Sequence, residues 1–186
     1  MKIYNLYSFL KEELKNGSSD LVTRPSGQVM RSRIEKQIEQ ERDGEIVALD
    51  FSHIGIIDFS CADEIIAKLI SRLLANEYGD RYILLAGVND NQKENIEVAL
   101  ERKDLAVMAE LRTGDKVLIG SLNNYLRDTL ELIISKNKIS ARDLSATMKL
   151  EANTSGTRLL NLHKKRLVKR SEEVRNGVKV WVYERF

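Results

Sequence analysis

Apolar residues recur along this chain with two periods, and the switches between them mark out its elements. Met1 to Leu6 reads as a short strand, and a polar stretch follows at Gly17 to Asp20. In SGQVMRSRIEKQIEQER, Met30, Ile34 and Ile38 recur every four residues and so share one face of a helix. Pro25, the only proline, sits near its start, where a missing N–H costs little. EIVALDF and RYILLAGV are short, branched-rich apolar runs bounded by polar residues or glycine, the pattern of buried strands with helices between them. A helix at about Asn91 to Arg102 comes next, then LAVMAEL and KVLIG on either side of Arg112-Thr113-Gly114-Asp115, a turn between two strands. This alternation predicts an α/β layer.

One stretch changes period abruptly. In LDFSHIGIIDFSCADEI, Leu49 to Ile57 is predicted as a strand and the edge that follows it, while from Ala62 onward Ile65, Ile66, Leu69, Ile70, Leu73 and Leu74 fall at helical spacing. Asp58, Phe59 and Ser60 therefore occupy a strand-to-helix corner, where the backbone N–H groups of the first turn are unpaired and partly positive. Ser60-Cys61-Ala62-Asp63 fits a capping box in which Ser60 accepts from the third helical N–H. On that reading Asp58 and Ser60 are caps worth about 1 kcal/mol each, and Ser60→Asp, which keeps a capping side chain, is expected to cost little.

The last third has its own pattern. SLNNYLRDTLELIISKNK carries Leu122, Leu126, Leu130 and Ile133/Ile134 at helical spacing, and ISARDLSATM is a short second helix capped by Ser140. A turn at Met148 to Glu151 leads into a third helix, LEANTSGTRLLNLHKKRLVKR, with Ala152, Leu159 and Leu162 turned inward. LVKRSEEV and VKVWVYERF then alternate around Arg175-Asn176-Gly177, where Asn-Gly signals a hairpin.

Charge sharpens this division. Residues 1 to 120 hold 16 Lys+Arg against 21 Asp+Glu, about −5, and residues 121 to 186 hold 14 against 7, about +7, which sums to the net +2. An acidic domain over 1–120 and a basic one over 121–186 follow, and the basic one invites a polyanion. With 42% hydrophobic and 31% charged residues, both have enough apolar material for a core. No run approaches a membrane span and no export signal is visible, so the expected location is the cytoplasm. One cysteine, Cys61, and two histidines, His53 and His163, give no internal disulfide and no zinc spacing. No phosphate-binding glycine loop, metalloprotease motif or nucleophile elbow occurs, so neither an enzyme nor a cofactor is expected. Cys61 near a helix start reads as a small core residue. Thr23-Arg24-Pro25-Ser26-Gly27, at another helix start, can hold an anion or nucleotide phosphate through Arg24.

Two family resemblances rest on these residues. LDFSHIGIIDFSCADEIIAKL resembles the signature of STAS domains, the anti-sigma-factor-antagonist fold: Asp50, Ser52, Ile54, Ile57 and Asp58 fall in register, followed by small residues and an amphipathic helix. The resemblance implies an α/β STAS-like domain that binds a protein partner, such as an anti-sigma-type kinase or sigma-pathway component, through Asp58, Phe59 and Ser60. Phe59 stands where the family often has a phosphorylated serine or threonine, which leaves Ser60 as the only stand-in. Residues 121–186 resemble an α+β winged helix-turn-helix domain of bacterial regulators, three helices followed by a hairpin. That resemblance implies double-stranded DNA as partner and is compatible with a homodimer. With Leu159 and Leu162 in the core, Asn153, Thr154, Thr157, Arg158 and Asn161 face outward toward base edges. Lys164, Lys165, Arg142 and Arg175 are then placed to meet phosphates. Arg166 replaces a glycine common in such domains, so an ordinary rather than left-handed helix end is expected there. The expected whole is a transcriptional or signalling regulator; the alternatives are an adaptor that docks only on proteins and, more distantly, a nucleotide binder.

Overall fold

The structure, a computed structural model, describes residues 1–14, 17–175 and 177–186. The chain divides into two compact units, Met1–Ser121 and Leu122–Phe186. Together they are mixed α/β: a five-stranded, mostly parallel sheet in the first unit and a small antiparallel sheet in the second.

In the first unit the elements run β1 (Lys2–Asn5), α1 (Leu6–Leu14), α2 (Arg24–Ile38), β2 (Ile46–Asp50), α3 (Phe59–Ala62), a π-helical turn (Asp63–Ala67), α4 (Lys68–Leu74), β3 (Tyr82–Val88), α5 (Asp90–Glu101), β4 (Ala106–Leu111) and β5 (Lys116–Gly120). Strand order follows chain order; β1 to β4 are parallel, and β5 returns antiparallel to β4. Alternate strand residues, Val47 and Leu49, Ile83 and Leu85, Val107 and Ala109, join Met30, Ile34, Ile65, Leu69 and Ile96 in one buried cluster. Both periods read from the sequence thus converge on a single core. Gly27 lets α2 approach closely, since a Cβ there would stand 3.0 Å from the Glu64 Cβ and 3.3 Å from the Cys61 Cα.

Three features of this unit differ from expectation. Leu6 begins a helix instead of ending a strand, because Leu6, Phe9 and Leu10 share one buried face. The strand expected to Ile57 stops at Asp50; Ile54 and Ile57 are buried from an irregular segment, and Ile57 pairs in parallel with Leu21. The helix from Phe59 to Leu74 carries a π turn, which buries Glu64, Ile65, Ile66 and Ala67 in succession. An ordinary helical face does not bury four consecutive residues.

The second unit runs α6 (Asn124–Lys136), β6 (Lys138–Ser140), α7 (Ala141–Met148), α8 (Ala152–Lys164), β7 (Lys169–Arg175) and β8 (Val178–Glu184). Its sheet has the order β6-β8-β7, with both pairings antiparallel. Ser140 caps α7 through a capping box with Asp143. Lys149 then takes a left-handed conformation, φ 52°, which ends α7 and turns the chain into α8. Leu126, Leu130, Ile133, Leu144, Leu159 and Leu162 are all buried. Asn176, at the tip of the predicted hairpin, lies outside the described residues; Arg175 pairs with Val178 across that tip.

Two expectations for this unit are corrected. Ala152 is exposed, and Ser155, one turn later, is fully buried in its place. Arg166, expected in an ordinary helix end, is left-handed at φ 58°. The reason is a closing motif: Leu167 N–H donates to the Leu162 carbonyl at 3.1 Å and Arg166 N–H to the His163 carbonyl at 2.9 Å. Leu167 is thereby returned to the core, 1% exposed, against the buried Leu162. Its burial offsets the roughly 1–2 kcal/mol cost of a left-handed arginine.

Candidate functional site

The outward face of α8 gathers the residues singled out from the sequence as facing base edges. Asn153, Thr154, Thr157, Arg158 and Asn161 line one depression of about 370 Å³, together with Tyr125 from the start of α6. Arg158 is anchored twice: its guanidinium lies 5.3 Å from the Tyr125 ring centroid, and Nη1 donates to the Tyr125 carbonyl at 3.3 Å. The Thr157 hydroxyl donates back to the Asn153 carbonyl at 2.9 Å, which occupies its proton and leaves its oxygen able to accept. Tyr125, 44% exposed, was not singled out from the sequence. The signal was present: Tyr125 precedes the buried Leu126, so this large aromatic falls off the apolar stripe of its own helix.

The cationic residues separate into two further groups. Lys164 is exposed near the end of α8 and Lys165 is its half-exposed C-cap. Arg142 and Arg175 instead border a second cavity of about 380 Å³, lined also by Ser140, Asp143, Val178 and Val180. The Arg175 charge is already compensated there, at 3.1 Å from Asp143 and 3.3 Å from Glu173. Hydrogen bonds from Ser140, with help from Arg175, hold the Asp143 carboxyl below the usual carboxylate range.

The Asp58 corner has a different construction from the one expected. Asp58, not Ser60, is the N-cap: it accepts from the Cys61 N–H at 2.7 Å, from the Ser60 hydroxyl at 2.9 Å and from the Thr23 N–H at 3.4 Å. Ser60 is a donor to the cap, so the capping box on Ser60 and Asp63 is not formed. Burial works to raise the Asp58 carboxyl, but these hydrogen bonds outweigh it and hold it below its ordinary value. Phe59 is half-buried, packs against the core and lies 4.4 Å beneath the Arg102 guanidinium. Burial pushes the Cys61 thiol up to about 11, and its proton goes to the Thr23 carbonyl at 2.9 Å. At neutral pH it is a protonated core residue.

Arg24, the candidate anion ligand, spends its charge inside the unit: Nη1 lies 3.1 Å from both Asp63 and Glu64. It belongs to a run of ion pairs between α2 and the helix that starts at Phe59. Lys103 holds Asp63 at 2.6 Å; Arg31 bridges Glu64 at 3.1 Å and Glu35 at 2.8 Å; Arg72 and the Tyr78 hydroxyl each reach Glu35 at 2.6 Å. Burial opposes the charge on Glu64 and Glu35, yet their partners keep both carboxyls below the ordinary range.

Among the described residues no helix is long and apolar enough to cross a membrane, and no group of three or more His, Cys, Asp or Glu side chains is placed to hold a metal ion. No protein-family model matches the chain, and no curated protein matches it.

Proposed function

We propose that the chain is a two-domain regulator in which a STAS-like unit binds a protein partner or signal and a winged-helix unit binds double-stranded DNA. The observation that carries this reading is the α8 face, where five polar side chains meet on one outward depression beside the exposed Lys164. Such a face suits base edges flanked by phosphates. The element order helix, strand, helix, helix, hairpin supports the winged-helix assignment. The parallel sheet and the helix launched at the Asp58 cap support the STAS-like one. A protein partner, of the anti-sigma-kinase or sigma-pathway kind, is assigned to the surface around Asp58, Phe59 and Ser60, with Phe59 contributing only its exposed edge.

Salt titration of duplex binding by the full chain tests the DNA half. Engagement of about five phosphates predicts a log-log slope near −4 to −5. Lys164→Ala or Lys165→Ala weakens binding to all duplexes alike and lowers the slope by about 1. Absence of salt-sensitive binding to any duplex leaves the adaptor reading in its place.

A further inference from the structure

We infer that Arg158 reads a guanine through the major groove and that Tyr125 is the positioning residue that aims it; this rests on the DNA-binding reading above. Arg158 differs from the other candidate arginines in what holds it. Arg24 and Arg175 are each paired with two carboxylates. Arg158 is held by an aromatic face and a backbone carbonyl, neither of which cancels its charge. No carboxylate lines its depression; its neighbours are Asn153, Thr154, Thr157, Asn161 and Tyr125.

The two anchors have a directional consequence. The Tyr125 ring, 5.3 Å away, confines the guanidinium over α6, and the bond from Nη1 to the Tyr125 carbonyl decides which of its edges is engaged. The opposite edge, Nε and Nη2, makes no bond among the described residues, so two parallel N–H groups remain available. That fork matches the O6 and N7 acceptors of guanine, which lie side by side on the major-groove edge. A phosphate demands less: an exposed lysine meets it as a point charge, and Lys164 is available for that. A half-buried arginine with one free planar edge is matched to a planar acceptor pair. Because the Tyr125 ring is 44% exposed and off the apolar stripe of α6, it contributes little to the core, and its effect on Arg158 is separable from its effect on folding.

The test is selection from a random duplex library by the full-length chain, followed by affinity measurements on the selected duplex at one salt concentration. Expected is a guanine at one position, preferred over other bases by about 5- to 150-fold. Arg158→Ala abolishes that preference, since no donor is left to face O6 and N7. Tyr125→Phe preserves it; Tyr125→Leu reduces it at that position more than at any other, with the thermal melt unchanged. Replacing the guanine by 7-deazaguanine, which lacks the N7 acceptor, weakens binding by about tenfold, while inosine, which keeps O6 and N7, binds as guanine does. If duplexes are selected but the preference survives Arg158→Ala or Tyr125→Leu, the inference is overturned and DNA binding stands. If duplex is bound but no sequence is enriched, the inference is overturned and DNA binding stands; if no duplex is bound in a salt-sensitive way, both are overturned.

Discussion

The two units differ in how the charges on their helices are used. In the first, Arg24 and Arg31 of α2 pair along a shared seam: Arg31 is 13% exposed and bridges Glu35 and Glu64, and Glu64 is 3% exposed with Arg24, Arg31 and Lys68 around it. In the second, Arg142 and Lys164 are exposed and form no ion pair among the described residues. The cations of this seam are thus committed to the fold, whereas Arg142 and Lys164 remain available to a partner. A net charge therefore says little about function until it is known which charges are already paired.

The largest expected effect comes from breaking the seam. Glu64→Ala leaves three cations facing a buried vacancy and is expected to destabilise the first unit by about 3–5 kcal/mol. The protein's single tryptophan, Trp181, lies in β8, so its fluorescence follows the second unit while far-ultraviolet circular dichroism follows both. The dichroism midpoint should fall and the fluorescence midpoint should hold. If both move together, the units do not unfold separately.

Acid sharpens the same contrast. Glu35, Asp58, Asp63 and Glu64 all have native values held below their ordinary ones. A carboxyl depressed in the folded state contributes stability that is complete above its unfolded value, about 4, and disappears as pH falls through the folded value. Urea midpoints of the first unit should therefore be flat from pH 7 to about 5 and decline steeply below about 4. A first unit no more acid-sensitive than the second would contradict the assignment of these pairs.

A smaller effect is expected at the corner. Because Ser60 donates to the cap instead of acting as one, Ser60→Asp sets a second carboxylate beside Asp58 and should cost roughly 1–2 kcal/mol. This reverses the expectation drawn from a Ser60 cap. A thermal melt of the variant equal to that of the parent would restore it.

The smallest expected effect has the opposite sign. Gly156 sits inside α8 with open space where a Cβ would be, so Gly156→Ala should stabilise the second unit by about 0.5–1 kcal/mol in a tryptophan-monitored melt. Stabilisation accompanied by weaker duplex binding would place a partner's backbone against that glycine.

Most elements were legible in the sequence because their determinants are local. Met30, Ile34 and Ile38 are four residues apart, Ser140 and Asp143 close a capping box within one turn, and the RTGD turn joins adjacent strands. What was missed locally was short: α1 follows β1 with no break, and β6 has three residues, too few to show a period. The five polar residues of α8 could be named from periodicity alone, since the buried Leu159 and Leu162 fix which face is left.

The remaining features depend on residues far apart in the chain. Arg24 meets Asp63 across 39 residues and Glu64 across 40, Arg31 meets Glu64 across 33, and Arg158 meets Tyr125 across 33. Whether an arginine is spent or available is decided by these meetings, and no window of sequence contains both partners. The left-handed Arg166 belongs with them: its own propensity argues against the conformation, and the burial of Leu167 in a core assembled from other helices prevails. By itself the sequence determined where the helices and strands lie and which faces are apolar, because burial periodicity is written into neighbouring residues. Only the tertiary structure decided which charges cancel and which side chains are aimed, because those depend on what folding brings to within about 3 Å.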